Sequence, residues 1–116
     1  MSDETRRLDV EVTAVDGAQV VRVRGEVDLQ TAPRLRELLL ASAKGLRAVV
    51  RIDLSQVPYM DSSGVGTMVF VKRAMERAGA RVVLIGLQPR VRSLFEITHL
   101  DKFFTIVSTI DEAAAP

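Results

Sequence analysis

Apolar and polar residues alternate in two short runs at the start of the chain, on either side of Asp16-Gly17. Alternation with a period of two is typical of strands that bury one face, and an Asp-Gly pair is a strong hairpin-turn signal. The pattern therefore predicts two antiparallel strands, at about residues 8–14 and 19–25.

Further along the chain, three segments carry apolar residues at the spacing of a helix face. The first segment follows Pro33, which suits a first helical turn, and its helix is predicted to end near Gly45. The second segment covers about residues 66–79, and the third covers about residues 88–97.

Apolar runs rich in β-branched residues separate and follow these helices, as expected of buried strands. Strands that alternate with helices predict crossover connections, so the helices should pack against a partly parallel sheet. The initial antiparallel hairpin makes that sheet mixed. The predicted fold class is α/β, with a mixed β-sheet, an N-terminal hairpin and helices packed against the sheet. The apolar runs are RAVVRIDLS, ARVVLIGL and FFTIVST.

Composition excludes several kinds of protein. With 116 residues, the chain is expected to be a single domain over 1–116, with flexible tails at about 1–7 and 112–116. Sixteen Lys and Arg oppose 15 Asp and Glu, and aromatic residues make up only 4%, so nucleic-acid binding gains no support. The chain has no cysteine, no apolar signal core at its start and no apolar run as long as a membrane span. We therefore expect a cytoplasmic protein without disulfides, thiolate metal sites or membrane insertion.

Two loops that follow predicted strands are the places where function is expected. In sheets of this kind, ligand and partner sites lie at the carboxyl ends of the strands. One loop is GEVDLQTAP, which contains Asp28, and the other is VPYMDSSGVG, which contains Ser62 and Ser63.

Ser62 and Ser63 stand where the second helix should begin, and one serine is sufficient as a helix N-cap. A helical wheel at about 100° per residue directs Ser63 toward the core and Ser62 toward solvent, on the same side as Val65 and Val69. We therefore expect Ser63 to cap or pack and Ser62 to be exposed. The wheel assigns to the core face Met68, Phe70, Val71, Ala74, Met75 and Ala78.

Gly64 and Gly66 are unfavourable residues for a helix, since each costs roughly 1 kcal/mol relative to alanine in a helix interior. Small residues near an exposed helix start allow another backbone to approach closely. This suggests a docking surface formed by Ser62, Val65, Gly66 and Val69.

A phosphate on Ser62 would add about −1.5 to −2 charges at neutral pH. The helix N-terminus would tolerate an anion, while Asp61, and Asp28 if its loop lies close, would repel it. Modification should therefore alter binding without unfolding the domain. These residues alone also fit a purely structural interpretation, in which Asp-Ser-Ser-Gly is a generic capping sequence and Asp28 is a loop or capping residue.

Three segments together resemble the STAS domain family, most closely its single-domain bacterial anti-sigma factor antagonists, in their order and spacing. The central segment contains MDSSGVG, which departs from the family's Met-Asp-Ser-Ser/Thr-Gly-Leu-Gly pattern only by Val65 in place of leucine. The resemblance covers nearly the whole chain. The segments are VRGEVDLQTAPRLRELL, VVRIDLSQVPYMDSSGVGTMV and GARVVLIGLQPRVRSLFEITHLDKFF.

The resemblance implies a partner switch and not an enzyme. In such proteins, the unphosphorylated antagonist binds an anti-sigma factor, which is also a GHKL-type serine kinase, and so releases a sigma factor. The kinase phosphorylates the antagonist and ends binding, and a PP2C-type phosphatase reverses the modification. The resemblance implies Ser62 as the phosphorylated residue, no cofactor, no metal and no catalytic residue in this chain, with ATP bound by the kinase. The implied partner-binding residues are Asp28, Asp61, Ser62, Ser63, Gly64, Val65, Gly66 and Val69.

Other STAS proteins leave a second hypothesis open, a partner-binding subunit of a stress-signalling or transport complex that involves no sigma factor. The anion-transporter form is not expected, because no transmembrane segment precedes the domain. A phospho-aspartate receiver domain would use Asp53, but the acidic pair and the lysine that it needs are not at the required places.

Two enzyme or ligand-binding hypotheses are weaker. A hydrolase with Ser62 as nucleophile would need a base, and the chain's one histidine, His99, is more plausible at a helix end or turn. The chain also lacks the G-x-S-x-G nucleophile elbow. Nucleotide binding would need a Walker A loop or a full G-x-G-x-x-G, whose third glycine is missing from GVGTMV.

Overall fold

The computed structural model describes residues 8–15, 18–42 and 49–109. The predicted turn at Asp16-Gly17, the predicted helix end near Gly45 and both predicted tails lie outside the described residues. In chain order the elements are β1 (Asp9–Val15), β2 (Ala18–Arg24), α1 (Ala32–Ser42), β3 (Val49–Gln56), α2 (Ser62–Arg77), β4 (Arg81–Ile85), α3 (Pro89–Ile97) and β5 (Thr105–Val107).

The strands form one mixed sheet in the order β1-β2-β3-β4-β5. β1 and β2 are antiparallel, and each later strand runs parallel to the one before it. The predicted α/β fold, with a mixed sheet and an N-terminal hairpin, is confirmed. Because β2 to β5 are parallel, the loops after β2 and β3 leave the sheet at the same edge.

The helices and one face of the sheet enclose the main core. Alternate residues of a strand point to opposite faces, so Val21 and Ile52 join this core while Val20 faces the other side. α1 packs against α2, and α2 also contacts α3. The largest fully buried side chains of this core are Phe95, Leu35, Leu39, Ile52, Leu54, Met68 and Leu84.

The buried stripe of α2 is rotated relative to the predicted one. Phe70, predicted to face the core, is 46% exposed, whereas Val65, predicted to face solvent, is only 5% exposed. Ala78 follows the end of α2 and is also exposed. Other members of the predicted core face are buried as expected: Met68, Val71 and Met75.

Lys72 explains why the wheel was misaligned. Its side chain is buried, and its ammonium group lies 2.6 Å from Glu76 Oε2 and 4.0 Å from the centroid of the Phe103 ring. A lysine can pack its methylene groups against apolar surface while its ammonium group interacts with a carboxylate or an aromatic ring. A residue that the wheel counted as polar therefore belongs to the buried side of the helix.

Thr13, on β1, offers a test of the fold that is independent of function. Its hydroxyl is buried and has no hydrogen-bond partner among the described residues. Leaving a buried polar group unsatisfied costs about 1–3 kcal/mol. Thr13→Val keeps the β-branched shape and removes the hydroxyl, so we expect the free energy of unfolding in urea to rise by about 1 kcal/mol.

The matched control for this substitution is Thr105→Val, because Thr105 is an exposed strand residue on β5. It should leave the free energy of unfolding nearly unchanged. An equal gain in both variants would show that strand propensity, and not the buried hydroxyl of Thr13, is the cause.

Candidate functional site

The two loops that the sequence singled out lie side by side. Val27 and Met60 form a parallel bridge: the Val27 N–H donates to the Tyr59 carbonyl at 2.9 Å, and the Asp61 N–H donates to the Val27 carbonyl at 3.0 Å. The bridge extends the pairing of β2 with β3 past the ends of both strands. It brings Asp28 and Asp61, the residues that follow it, onto adjacent segments of chain.

Asp61, and not Ser63, is the N-cap of α2. The Asp61 Oδ1 accepts hydrogen bonds from the Ser63 N–H at 2.9 Å and from the Gly64 N–H at 3.4 Å. Of the two roles predicted for Ser63, capping is therefore wrong, because Asp61, a preferred cap residue, already supplies the oxygen two positions earlier. The packing role fits its partial burial. Ser63 is half-buried and lies on the side of α2 that faces the start of α1.

Ser62 is the first residue of α2, and its side chain is exposed, as predicted. Because the Asp61 side chain accepts hydrogen bonds from the Ser63 and Gly64 amides, the Ser62 hydroxyl is not needed to begin the helix. A second protein could therefore reach this hydroxyl and modify it without dismantling the helix cap.

The two glycines of α2 have different surroundings. A Cβ at Gly64 would overlap with Met60 Cγ and lie 2.7 Å from Val27 Cγ1, so glycine lets the bridge pack against the helix. Gly64 is buried and does not face outward, so the partner contact implied for it stays a prediction. Gly66 is exposed, and a Cβ there would meet no heavy atom within 4 Å. Nothing inside the described molecule requires glycine at position 66.

The predicted exposure of Val65 is wrong, because the buried stripe of α2 is rotated toward this residue and encloses its side chain in the core. Val69 is half-buried and packs against the same core, so only part of its side chain faces outward. The surface of α2 next to Ser62 is therefore made by Gly66 and part of Val69, without Val65.

Asp28 is integrated into its own loop. Its Oδ1 accepts hydrogen bonds from the Gln30 N–H at 2.9 Å and the Thr31 N–H at 3.0 Å, while its own N–H donates to Thr31 Oγ1 at 2.9 Å. The Thr31 hydroxyl in turn donates to the Glu26 carbonyl at 2.9 Å. The loop that carries Asp28 into α1 is thus held in one conformation by short polar contacts, and Asp28 has the structural loop role that was weighed for it.

Comparison with known proteins gives this site its context. The STAS domain family model matches residues 9–113. The chain belongs to the STAS domain family. The anti-sigma-B factor antagonist of Listeria monocytogenes is 36% identical to this STAS domain over 100 residues, which are 85% of this chain and 88% of that protein.

Solved structures agree with the sequence comparison. An anti-sigma factor antagonist from Mycobacterium paratuberculosis superposes with a TM-score of 0.81 at 28% identity, over 97% of this chain and 95% of that one. The anti-sigma factor antagonist SpoIIAA in its unphosphorylated form gives a TM-score of 0.70 at 26% identity, over 90% and 92% of the two chains. The STAS domain described here therefore shares the whole fold of these proteins.

The geometry of this STAS domain contradicts a receiver-type phosphorylation at Asp53. That residue is only 3% exposed, its Oδ2 pairs with Arg22 Nε at 3.0 Å, and its Oδ1 accepts the Ser55 N–H at 2.9 Å. A phosphoryl acceptor must be accessible, so Asp53 is a structural ion-pair residue. His99 lies in the turn after α3 with a φ of 60°, at the kind of position predicted for it.

Within the part of the chain that the structure describes, two features bear on metal binding and membrane insertion. Residues 8–15, 18–42 and 49–109 contain no cluster of three or more His, Cys, Asp or Glu side chains suited to a metal ion. No helix within those ranges is long and apolar enough to cross a bilayer.

A shallow groove between α1 and α2 is a feature that the sequence analysis missed. We call it the α1–α2 groove, and it has a volume of about 230 Å³. The signals for it were Leu29, an apolar residue in a polar loop, and Phe70, which the wheel assigned to the core. The groove is lined by Leu29, Ala32, Pro33, Arg36, Ser63 and Thr67.

Proposed function

We propose that this STAS domain is an anti-sigma factor antagonist that binds its anti-sigma factor when Ser62 is unphosphorylated and thereby frees a sigma factor. The observation that carries the proposal is the exposed Ser62 at the first position of α2, immediately after the capping Asp61. Relatives that match over most of their length bear the same name, which supports a regulatory role.

The capping arrangement explains how a phosphate would act as a switch. Asp61 Oδ1 already accepts the amides of Ser63 and Gly64, so a phosphate on Ser62 gains little from those two donors. The added charge of about −1.5 to −2 would stand beside the Asp61 carboxylate at the surface. A partner that covered this surface would have to desolvate both anions, so the complex should be lost while the fold persists.

The same proposal defines the partners and the chemistry that each supplies. The anti-sigma factor is proposed to be a GHKL-type serine kinase, which contributes the ATP, and a PP2C-type phosphatase is proposed to remove the phosphate. The antagonist itself is proposed to need no cofactor and to catalyse no reaction. A cytoplasmic location follows from the proposal, because a sigma factor acts there.

Two successive experiments test the proposal. The first captures the partner, and the second assays whether the partner phosphorylates this protein. Tagged wild-type and Ser62→Ala proteins are expressed in the source organism, and their partners are identified by mass spectrometry. We expect both proteins to retain the anti-sigma factor. With ATP, the purified partner should phosphorylate the wild type but not Ser62→Ala, and the phosphate should survive hydroxylamine, which cleaves acyl phosphates.

Ser63→Ala is the matched control, because it removes the neighbouring hydroxyl and leaves Ser62 and Asp61 in place. It should still be phosphorylated. Phosphate on Ser62→Ala but not on Ser63→Ala would move the switch to Ser63. Recovery of a complex without any anti-sigma factor would instead favour the stress-signalling or transport alternative.

A further inference from the structure

The α1–α2 groove presents an apolar side chain at a fixed position on the protein surface. Leu29 is 75% exposed, although both Asp28 and Thr31 in the same loop are held by short hydrogen bonds. A rigid loop loses little conformational freedom when a partner covers it. Leu29 is therefore a preorganised apolar contact beside the candidate phosphorylation site.

The lining of the groove carries a single positive charge. Among the six residues that line it, Arg36 alone is charged, and its guanidinium carbon lies 5.1 Å from the centroid of the Phe70 ring. Arg36 forms no ion pair with any residue that the structure describes. Phe70 is itself 46% exposed, so it orients the guanidinium group and leaves its donors accessible.

The groove is continuous with the surface around Ser62. Ser63 lines the groove and directly follows Ser62, and Thr67 continues the lining one turn further along α2. A single partner surface that contacts Ser62 and Gly66 can therefore also cover the groove.

We propose that the α1–α2 groove receives an apolar side chain and an adjacent carboxylate of the anti-sigma factor, with Leu29 contacting the former and Arg36 pairing with the latter. This inference rests on the proposed function and adds the chemistry of the partner's contact segment. The charge of Arg36, in a lining that contains no carboxylate, is what selects an acidic group on the partner.

The apolar half of the proposal is tested with Leu29→Ser. The probe is the purified anti-sigma factor recovered in the capture experiment, used without ATP so that no phosphorylation occurs, and the readout is the Kd by calorimetry. We expect Leu29→Ser to bind about tenfold or more weakly. The matched control is Ile97→Ser, because Ile97 is also 75% exposed but ends α3, and its Kd should remain within about twofold of wild type.

The charged half is tested with Arg36→Glu, which should weaken binding by about tenfold or more through like-charge repulsion. Arg34→Glu makes the same charge change on the same helix at an exposed residue outside the groove lining, and it should have a much smaller effect. A partner variant in which the contacting Asp or Glu becomes Lys should restore binding to Arg36→Glu. Melting curves by circular dichroism confirm that each variant is folded.

The outcomes separate this inference from the function on which it rests. If Leu29→Ser and Arg36→Glu bind as wild type while Ser62→Asp loses binding, the groove assignment is wrong and the antagonist function stands. If Ser62→Asp also binds as wild type, the switch itself is wrong. Sedimentation that shows a dimer of this chain, abolished by Leu29→Ser, would overturn the assignment by showing that a second copy covers the groove.

Discussion

Ser62→Asp is expected to bind the anti-sigma factor about 100-fold more weakly than wild type, with no fall in melting temperature. Ser62 is exposed at the first position of α2, so a carboxylate there meets no residue of its own core. Negative charge near a helix N-terminus is favourable for the helix by about 0.3–1 kcal/mol. The loss should therefore appear in binding and not in folding.

The binding penalty arises because Asp61 already provides a carboxylate at this helix start. A partner that has evolved to cover one anion would have to accommodate a second beside it, and like charges brought together at an interface cost several kcal/mol. Calorimetry with the purified anti-sigma factor measures the Kd, and circular dichroism measures the melting temperature of the same preparations.

Ser62→Asn and Ser62→Ala are the controls, because asparagine has the shape of aspartate without its charge and alanine removes the hydroxyl. Both should bind within about tenfold of wild type, and neither should accept phosphate on residue 62. Equal losses for Ser62→Asp and Ser62→Asn would show that side-chain size, and not charge, controls the complex.

Gly64→Ala and Gly66→Ala are expected to change stability in opposite directions. A Cβ at residue 64 would lie 2.7 Å from Val27 Cγ1, and this β-branched side chain is stiff and fully buried, so it has little room to move. Overpacking of this kind costs about 1–3 kcal/mol, so Gly64→Ala should lower the free energy of unfolding despite alanine's better helix propensity.

Gly66→Ala should raise the free energy of unfolding by up to about 1 kcal/mol, because its Cβ would enter open space on a helix. The same variant should bind the anti-sigma factor more weakly if the partner's backbone approaches α2 at this point. Urea unfolding and calorimetry measure the two effects separately. A more stable Gly66→Ala that binds as well as wild type would show that no close approach occurs there.

The sequence predicted the sheet and the helices well because their signals are local. Asp16-Gly17 flanked by alternating residues predicts a hairpin, and Pro33 near a run of leucines predicts a helix start. The structure has β1 and β2 as an antiparallel pair, and α1 begins at Ala32. These features depend on neighbouring residues and need no knowledge of the rest of the molecule.

The failures have a different physical origin, since they depend on contacts between distant segments. The position of Lys72 in the core follows from its contacts with Phe103 and Glu76, and the first of these comes from the segment before β5. The burial of Gly64 depends on the bridge between Val27 and Met60, which joins two loops. A wheel drawn for one helix contains neither relationship.

The choice of the α2 cap residue depends on one contact between distant segments. Asp61 and Ser63 are both suitable N-cap residues, and the choice between them depends on whether the backbone turns into the helix at residue 61 or 63. The hydrogen bond from the Asp61 N–H to the Val27 carbonyl fixes that turn. The exposure of Ser62 was nevertheless predicted correctly. Ser62 lies in the first turn of α2, between the capping Asp61 and the buried Gly64.

The bridge between Val27 and Met60 also has a kinetic consequence. Two loops and a helix start that are joined by backbone hydrogen bonds and packed over Gly64 form one preassembled surface. Such a surface pays little ordering entropy on association, so encounter should be limited by diffusion and orientation and not by a folding step. In the proposed switch, the response time would then depend on the proposed kinase and phosphatase, and association of the antagonist would add no slow step.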